Sequence, residues 1–252
     1  MKLHYQIIGS GKPLIVIHGL FGSSDNWRSM AKFFSKHYQV ISIDLRNHGR
    51  SPHSENQSLG DMAEDIYELC QDLALNKVNI LGHSLGGKVA MQFAELYEQY
   101  VEKLVIVDMS PRQYEGKHTP LMDAMMALNF SAYSSRKQVD EALIASIPEP
   151  KVRQFLLMNL SAEDDQLKWR INLPALKANY KKFMKAVLTE FSSDKTCLFL
   201  YGEQSDYVTE QDREEIKQIF PYAKFAAVPA GHWVHAERPQ QFKQIVEEFL
   251  IK

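Results

Sequence analysis

The chain has 252 residues, 45% of them apolar and 24% charged, with a formal net charge of −2. This length lies near the size at which single cores stop growing, so one core carrying an inserted subdomain is expected. With 29 Lys plus Arg against 31 Asp plus Glu, the composition excludes the broad basic field of a nucleic-acid-binding protein, while leaving room for a local patch that meets a phosphorylated substrate.

The N-terminus offers a first strand candidate at Leu3–Ile8 and a second at Leu14–His18, split by Gly9-Ser10-Gly11-Lys12-Pro13. Neither apolar segment is long enough to span a bilayer, so no stable membrane insertion is expected. No apolar run followed by a small-residue cleavage site marks a secretory leader. Val40–Ile43, Val78–Leu81 and Leu104–Val107 repeat the short, branched, nearly continuous pattern of strands buried on both faces. Between them, Met62, Ile66, Leu69 and Leu73 recur at helical spacing, and Gly87–Tyr97 reads as a second helix.

From about Arg112 to Glu190 the rhythm breaks. Helical stretches at Leu121–Phe130, Val139–Ser146, Val152–Leu160 and Leu176–Val187 are partly separated by Pro148, Pro150 and Pro174. The pattern predicts a helical cap over residues 112–190 on a core formed by 1–111 and 191–252. The cap holds 12 Lys plus Arg against 9 Asp plus Glu, a mildly basic balance that either favours anionic substrates or only solvates exposed helical faces. Cys197–Leu200 and Phe225–Val228 resume the strands, and Phe242, Ile245, Val246 and Phe249 give the last helix. Together these elements predict an α/β fold, a mostly parallel sheet flanked by helices on both faces. Cys70 and Cys197 have no metal-ligand spacing and are expected as free buried thiols, which fits a cytoplasmic location.

The sharpest chemical signal is Gly82-His83-Ser84-Leu85-Gly86, placed between a strand and a helix. A G-x-S-x-G sequence in that context forms a tight turn that projects the serine, here Ser84, as a nucleophile. A serine hydroxyl needs a general base near neutral pH. His232 follows a late strand and leaves room for one final helix; His235 is a nearby competitor at the start of that helix. Leu85 N–H, directly after the serine, is the expected first donor of an oxyanion hole.

Beyond these local patterns, the chain resembles the α/β-hydrolase superfamily over almost its full length. More narrowly it is similar to the YbfF-like bacterial esterases and the related abhydrolase-domain mitochondrial proteins. The resemblance rests on HGLFGSSDNW at His18–Trp27, DLRNHGRS at Asp44–Ser51, GHSLGGKVAM at Gly82–Met91, VDMSPRQY at Val107–Tyr114 and GHWVHAERP at Gly231–Pro239. It is weakest in the cap. It implies hydrolysis of an acyl ester or thioester with no metal and no organic cofactor. It also implies a second oxyanion donor from the His18–Gly22 loop, Leu20 first and Phe21 as the alternative.

The triad acid has two candidates. Many members of the superfamily carry it after the seventh strand in a G-x-x-D-x-x-V pattern, but here Ser205 holds that place in Gly202–Val208 and Asp206 falls one residue late. Asp108 instead ends the strand after the nucleophile, a position that serves in the narrower group. Asp108 is therefore taken, with Asp206 as the alternative acid. His18 and His83 are read as structural, and Asp44, Arg46, Asn47 and His48 as a loop network. Carboxylesterase activity is the expected function. An acyl-CoA thioesterase, a carbon–carbon bond hydrolase and a catalytically silent binding protein are the alternatives. Phe21, Leu20 and the cap methionines Met122, Met125, Met126 and Met158 either line an acyl pocket or pack in the core. Oligomeric state is not specified by the sequence.

Overall fold

A computed structural model describes residues 1–163 and 166–251. In chain order it contains β1 (Tyr5–Ile8), β2 (Lys12–Ile17), α1 (Arg28–Phe34), β3 (Tyr38–Ile43), α2 (Leu59–Asp72), β4 (Val78–His83), α3 (Leu85–Leu96) and β5 (Val101–Val107). Then follow α4 (Thr119–Met126), α5 (Arg136–Leu143), α6 (Pro150–Leu157), β6 (Leu160–Glu163), β7 (Gln166–Trp169) and α7 (Leu173–Phe183). The chain closes with β8 (Thr196–Gly202), α8 (Glu210–Ile219), β9 (Lys224–Val228), α9 (Val234–Glu237) and α10 (Pro239–Ile251).

Seven strands form one sheet in the order β1-β3-β2-β4-β5-β8-β9, parallel except for β1, which pairs antiparallel with β3. The apolar runs of the sequence have a direct cause here. On β2, Leu14 and Val16 pack with Trp27, Met30 and Phe242 against α1 and α10. Ile15 and Ile17 face the other way, among Met62, Ile66, Val89 and Phe93 of α2 and α3. Both faces are covered, so alternation between apolar and polar residues is lost.

The insertion between β5 and β8 is mainly helical, as the sequence predicts, with one addition. Among the described residues it holds four α-helices, and β6 and β7 add an antiparallel pair where the sequence pattern predicts a helix end and a loop. Each hairpin strand has only four residues and none is fully buried, so neither leaves a strong period-two trace. The helices also start earlier than the apolar spacing alone indicates. Pro120, Pro150 and Pro174 occupy the first or second position of α4, α6 and α7, where a missing N–H costs no hydrogen bond. The prolines begin helices here instead of merely separating them. Met122, Leu143, Leu156 and Leu176 join the same apolar cluster as α2 and α3, so the insertion shares the main core.

Lys88 of α3 is fully buried and fastens this insertion at both ends. Its Nζ donates to Pro111 O (3.0 Å) and Arg112 O where the chain leaves the sheet, and to Lys185 O (2.8 Å) where it returns. Three N–H donors thus meet three carbonyls, the partnering a buried ammonium needs.

His235, in α9, is half-buried, stacked on Trp27 with ring centroids 4.3 Å apart, and also borders the cavity described below. Its Nδ1 is buried without a partner among the described residues. Burial first, and then the neighbouring His232, pushes its pKa from 6.5 to about 3. Between those values the unfolded chain binds a proton that the folded chain refuses, so this residue's contribution falls as pH drops from 6.5 towards 3. In His235→Phe, which keeps the stack, thermal melts across this window should show a shallower fall of Tm with acidity. An unchanged slope would reject the assignment.

Candidate active site

Ser84 sits where β4 turns into α3. Its backbone adopts φ +53° and ψ −119°, an uncommon conformation for a residue with a side chain. Glycine on either side makes the turn possible. A Cβ on Gly82 would lie 2.2 Å from Gly86 O, and one on Gly86 would lie 2.4 Å from Ile17 O. The serine lies at the N-terminal end of α3, whose partial positive charge favours a developing anion.

His232 follows β9 in the loop before α9, and Asp108 follows β5. Their side chains meet: His232 Nδ1 lies 2.6 Å from Asp108 Oδ2. Asp108 is fully buried and also accepts from Gly202 N–H (3.0 Å) and Ser205 Oγ–H (2.5 Å). Its φ of +48° is another left-handed conformation, which aims the carboxylate from the strand end towards the histidine. With Nδ1 donating to the carboxylate, Nε2 is left as the basic nitrogen. Tyr207 stacks on the His232 ring at 4.1 Å. Gly231 N–H donates to Glu237 Oε2 (3.0 Å), fixing the loop from the other side.

Asp206 lies elsewhere. Its carboxylate is 71% exposed and pairs with Lys117 Nζ at 2.6 Å. Ser205, which holds the position expected of the acid, instead donates its hydroxyl to Asp108. The loop after β8 therefore still serves the carboxylate, with a donor in place of an acid.

The loop after β2 faces Ser84. Gly22 N–H donates to Gly19 O (2.9 Å), closing a turn with Phe21 at φ +62°. Among the described residues, the N–H groups of Leu20, Phe21 and Leu85 have no hydrogen-bond acceptor. Leu85 opens α3, so its N–H has no partner within the helix. His18 accepts from Leu45 N–H at Nε2 (3.0 Å) and therefore donates from Nδ1 to Gly19 O (2.8 Å). Burial holds its pKa below the usual value. His83 bonds through Nε2 to His232 O (2.9 Å), and burial keeps it well below the usual histidine range. Both rings are neutral struts for the loops they touch. From the insertion, the Asn159 amide donates to Phe21 O (2.7 Å).

The network read from Asp44 to His48 is present one layer out. Asp44 accepts from Ser24 N–H (2.6 Å) and Arg50 N–H (2.8 Å), and Arg46 pairs with buried Asp65. Asn47 bonds to Gln57 and to Asn172 of the insertion.

A cavity of about 250 Å³ joins these parts. Ser84, His232, Leu20, Phe21 and Tyr207 line it with Trp27 and Trp233, and the insertion supplies His118, Leu121, Val152, Phe155 and Leu156. None of the four cap methionines lines it. Met122 and Met125 are fully buried in the core, whereas Met126 and Met158 are exposed. Of the two roles left open for these methionines, core packing holds for Met122 and Met125, and none of the four lines this cavity. Sequence reasoning did not single out His118 or Asn159, which belong to no local motif, or Tyr207, which fills an unspecified position of the Gly202–Val208 stretch; all three act through distant contacts. Among the described residues, no group of three His, Cys, Asp or Glu side chains is arranged to hold a metal ion.

Comparison with known proteins places this geometry in context. The sequence profile described as the alpha/beta hydrolase fold matches residues 12–135. An sn-1-specific diacylglycerol lipase of Mus musculus is 38% identical, over 99% of this chain and 85% of its own. Esterase YbfF of Escherichia coli is 32% identical, over 96% of this chain and 94% of its own. The solved structure of a marine microorganism esterase is 39% identical and has a TM-score of 0.96, covering 98% of this chain and 99% of that one.

Proposed function

Because this chain belongs to the alpha/beta hydrolase family, we propose that it is a serine hydrolase cleaving carboxylic esters through an acyl-serine intermediate. The observation that carries the reading is the bond from His232 Nδ1 to the buried Asp108 carboxylate, beside a cavity that His232 shares with Ser84. Asp108 fixes the histidine so that Nε2 can take the serine proton. Ser84 Oγ attacks the ester carbonyl, and the carbonyl oxygen becomes an oxyanion facing Leu85 N–H and a donor from Leu20 or Phe21. His232 then returns its proton to the leaving alcohol. Water, activated by the same nitrogen, frees the acid and restores the serine.

Ester substrates are preferred over acyl-CoA thioesters in this reading. The cavity is smaller than typical sites for drug-sized ligands, and no Lys or Arg lines it among the described residues. The relatives named as an esterase and a lipase support the same bond type. The reading includes a cytoplasmic setting, supported by Cys70 and Cys197, which are buried, unpaired and pushed up to about 12 by burial. Among the described residues no helix is long and apolar enough to cross a membrane.

Hydrolysis of p-nitrophenyl esters of increasing acyl length, beside matched acyl-CoAs, tests the proposal. Turnover should depend on Ser84 and favour short acyl groups. Preference for CoA esters would replace the reading with a thioesterase. No Ser84-dependent turnover by folded protein would favour a carbon–carbon bond hydrolase or a silent binder.

A further inference from the structure

His118 precedes α4 and forms part of the cavity wall, set edge-on to Phe21 with ring centroids 6.2 Å apart. It belongs to none of the groups assigned to proton transfer or oxyanion binding. Its environment nevertheless fixes its hydrogen-bonding role. Tyr180 of α7 is 3% exposed, and its hydroxyl meets His118 twice. It accepts from the His118 backbone N–H (3.1 Å) and lies 2.6 Å from Nδ1.

The protons can be counted. The backbone N–H occupies one lone pair of the tyrosine oxygen. Among the described residues, Nδ1 of His118 is the sole acceptor bonded to the tyrosine O–H. Were Nδ1 protonated, it would also donate to the oxygen, leaving the buried O–H with no acceptor at a substantial desolvation cost. The favourable arrangement has Tyr180 donating to Nδ1 and the imidazole proton on Nε2. Burial first, and then His232 and Lys117, push the pKa of His118 down to about 4, so the ring is neutral near pH 7. Nε2 has no protein partner among the described residues, and His118 is one of the residues that line the cavity. The result is an N–H donor of fixed direction in a mostly apolar chamber.

We propose that His118 is a specificity-determining residue whose Nε2–H binds an oxygen of the ester substrate other than the two of the scissile group. The site would thereby select esters that carry an additional ether, hydroxyl or carbonyl oxygen over their all-carbon isosteres. The inference rests on the ester-hydrolase reading above and goes beyond it by naming a substrate class.

Two matched pairs test it, because the extra oxygen can lie on either side of the scissile bond. On the acyl side, p-nitrophenyl methoxyacetate is compared with p-nitrophenyl butyrate. On the alcohol side, 2-methoxyethyl acetate is compared with n-butyl acetate. The readout is the ether-over-methylene ratio of kcat/KM in His118→Leu relative to the unaltered enzyme. The ratio cancels intrinsic reactivity and any loss common to both substrates. In at least one pair it should fall about tenfold, the scale of one net hydrogen bond. Tyr180→Phe, which frees Nδ1 but keeps the ring, should lower the same ratio partway. Equal losses on ether and methylene substrates would place the donor on the reacting ester and overturn the proposal, as would unchanged ratios in both pairs. Imidazole nitrogen NMR provides a test independent of turnover. The unaltered protein should carry the His118 proton on Nε2, and Tyr180→Phe should transfer part of it to Nδ1. A proton on Nδ1 in the unaltered protein would refute the proposal even in an active enzyme. If the NMR agrees but no ester is turned over through Ser84, the hydrolase reading fails and takes this substrate role with it, leaving only the tautomer assignment.

Discussion

Ser84→Ala is expected to lower kcat for a p-nitrophenyl ester by 10⁴- to 10⁶-fold, on the order seen when the nucleophile of a serine–histidine pair is removed. The loss should be chemical. The glycines that permit the turn remain, and alanine needs no more space than serine at a site already held at φ +53°. Thermal unfolding should therefore change little. A second feature separates a working pair from two independent contributors. If Ser84 and His232 act on one proton, the double variant Ser84→Ala/His232→Ala should be no slower than Ser84→Ala alone. Steady-state kinetics and labelling by an active-serine phosphonate measure both points. Residual turnover within tenfold of the unaltered enzyme would remove Ser84 from the mechanism.

Asp108→Asn should lower kcat near neutral pH by about 10⁴-fold, because an amide can hold the ring in the wrong tautomer and cannot balance its positive charge. Asp206→Asn should leave kcat within about twofold, since it disturbs only an exposed pair with Lys117. The contrast matters more than either value. Asp108 has three donors converging on a fully buried carboxylate, whereas Asp206 points to solvent. Reversal of the two effects in steady-state assays would show that the loop after β8 rearranges to supply the acid.

The two acids illustrate how far the sequence can be read. The strands, the serine turn and the late histidine are legible because each is written locally, in apolar runs or in glycines that no other residue can replace. The acid is not local. The irregular Gly202–Val208 segment leaves Asp108 and Asp206 both open. Only the fold shows that Ser205 turns its hydroxyl to Asp108 across 97 positions of sequence. The insertion is harder still. Its four helices leave apolar spacing, but the hairpin strands are too short and too exposed to do so. Thr209 and Asp212 form a capping box that marks the start of α8, visible in the sequence as Thr-x-x-Asp. By contrast, nothing local marks His118, whose tautomer is set by a tyrosine 62 positions away.

The Lys88 clamp bears on the order of assembly. Its three carbonyl partners come from Pro111, Arg112 and Lys185, so the last contact spans 97 positions of sequence. During synthesis the ammonium is made well before the segment that completes its shell. Burial first, and then Arg112, lower the Lys88 pKa to about 7, so an amine enclosed without these acceptors would give up its proton and leave a buried polar group unpaired, at a cost of about 1–3 kcal/mol. The insertion therefore completes the partnering of a group buried in the main core. Deleting the excursion after β5 would take away acceptors of Lys88 and leave its amine unpaired inside the protein, instead of releasing a simpler, self-sufficient hydrolase.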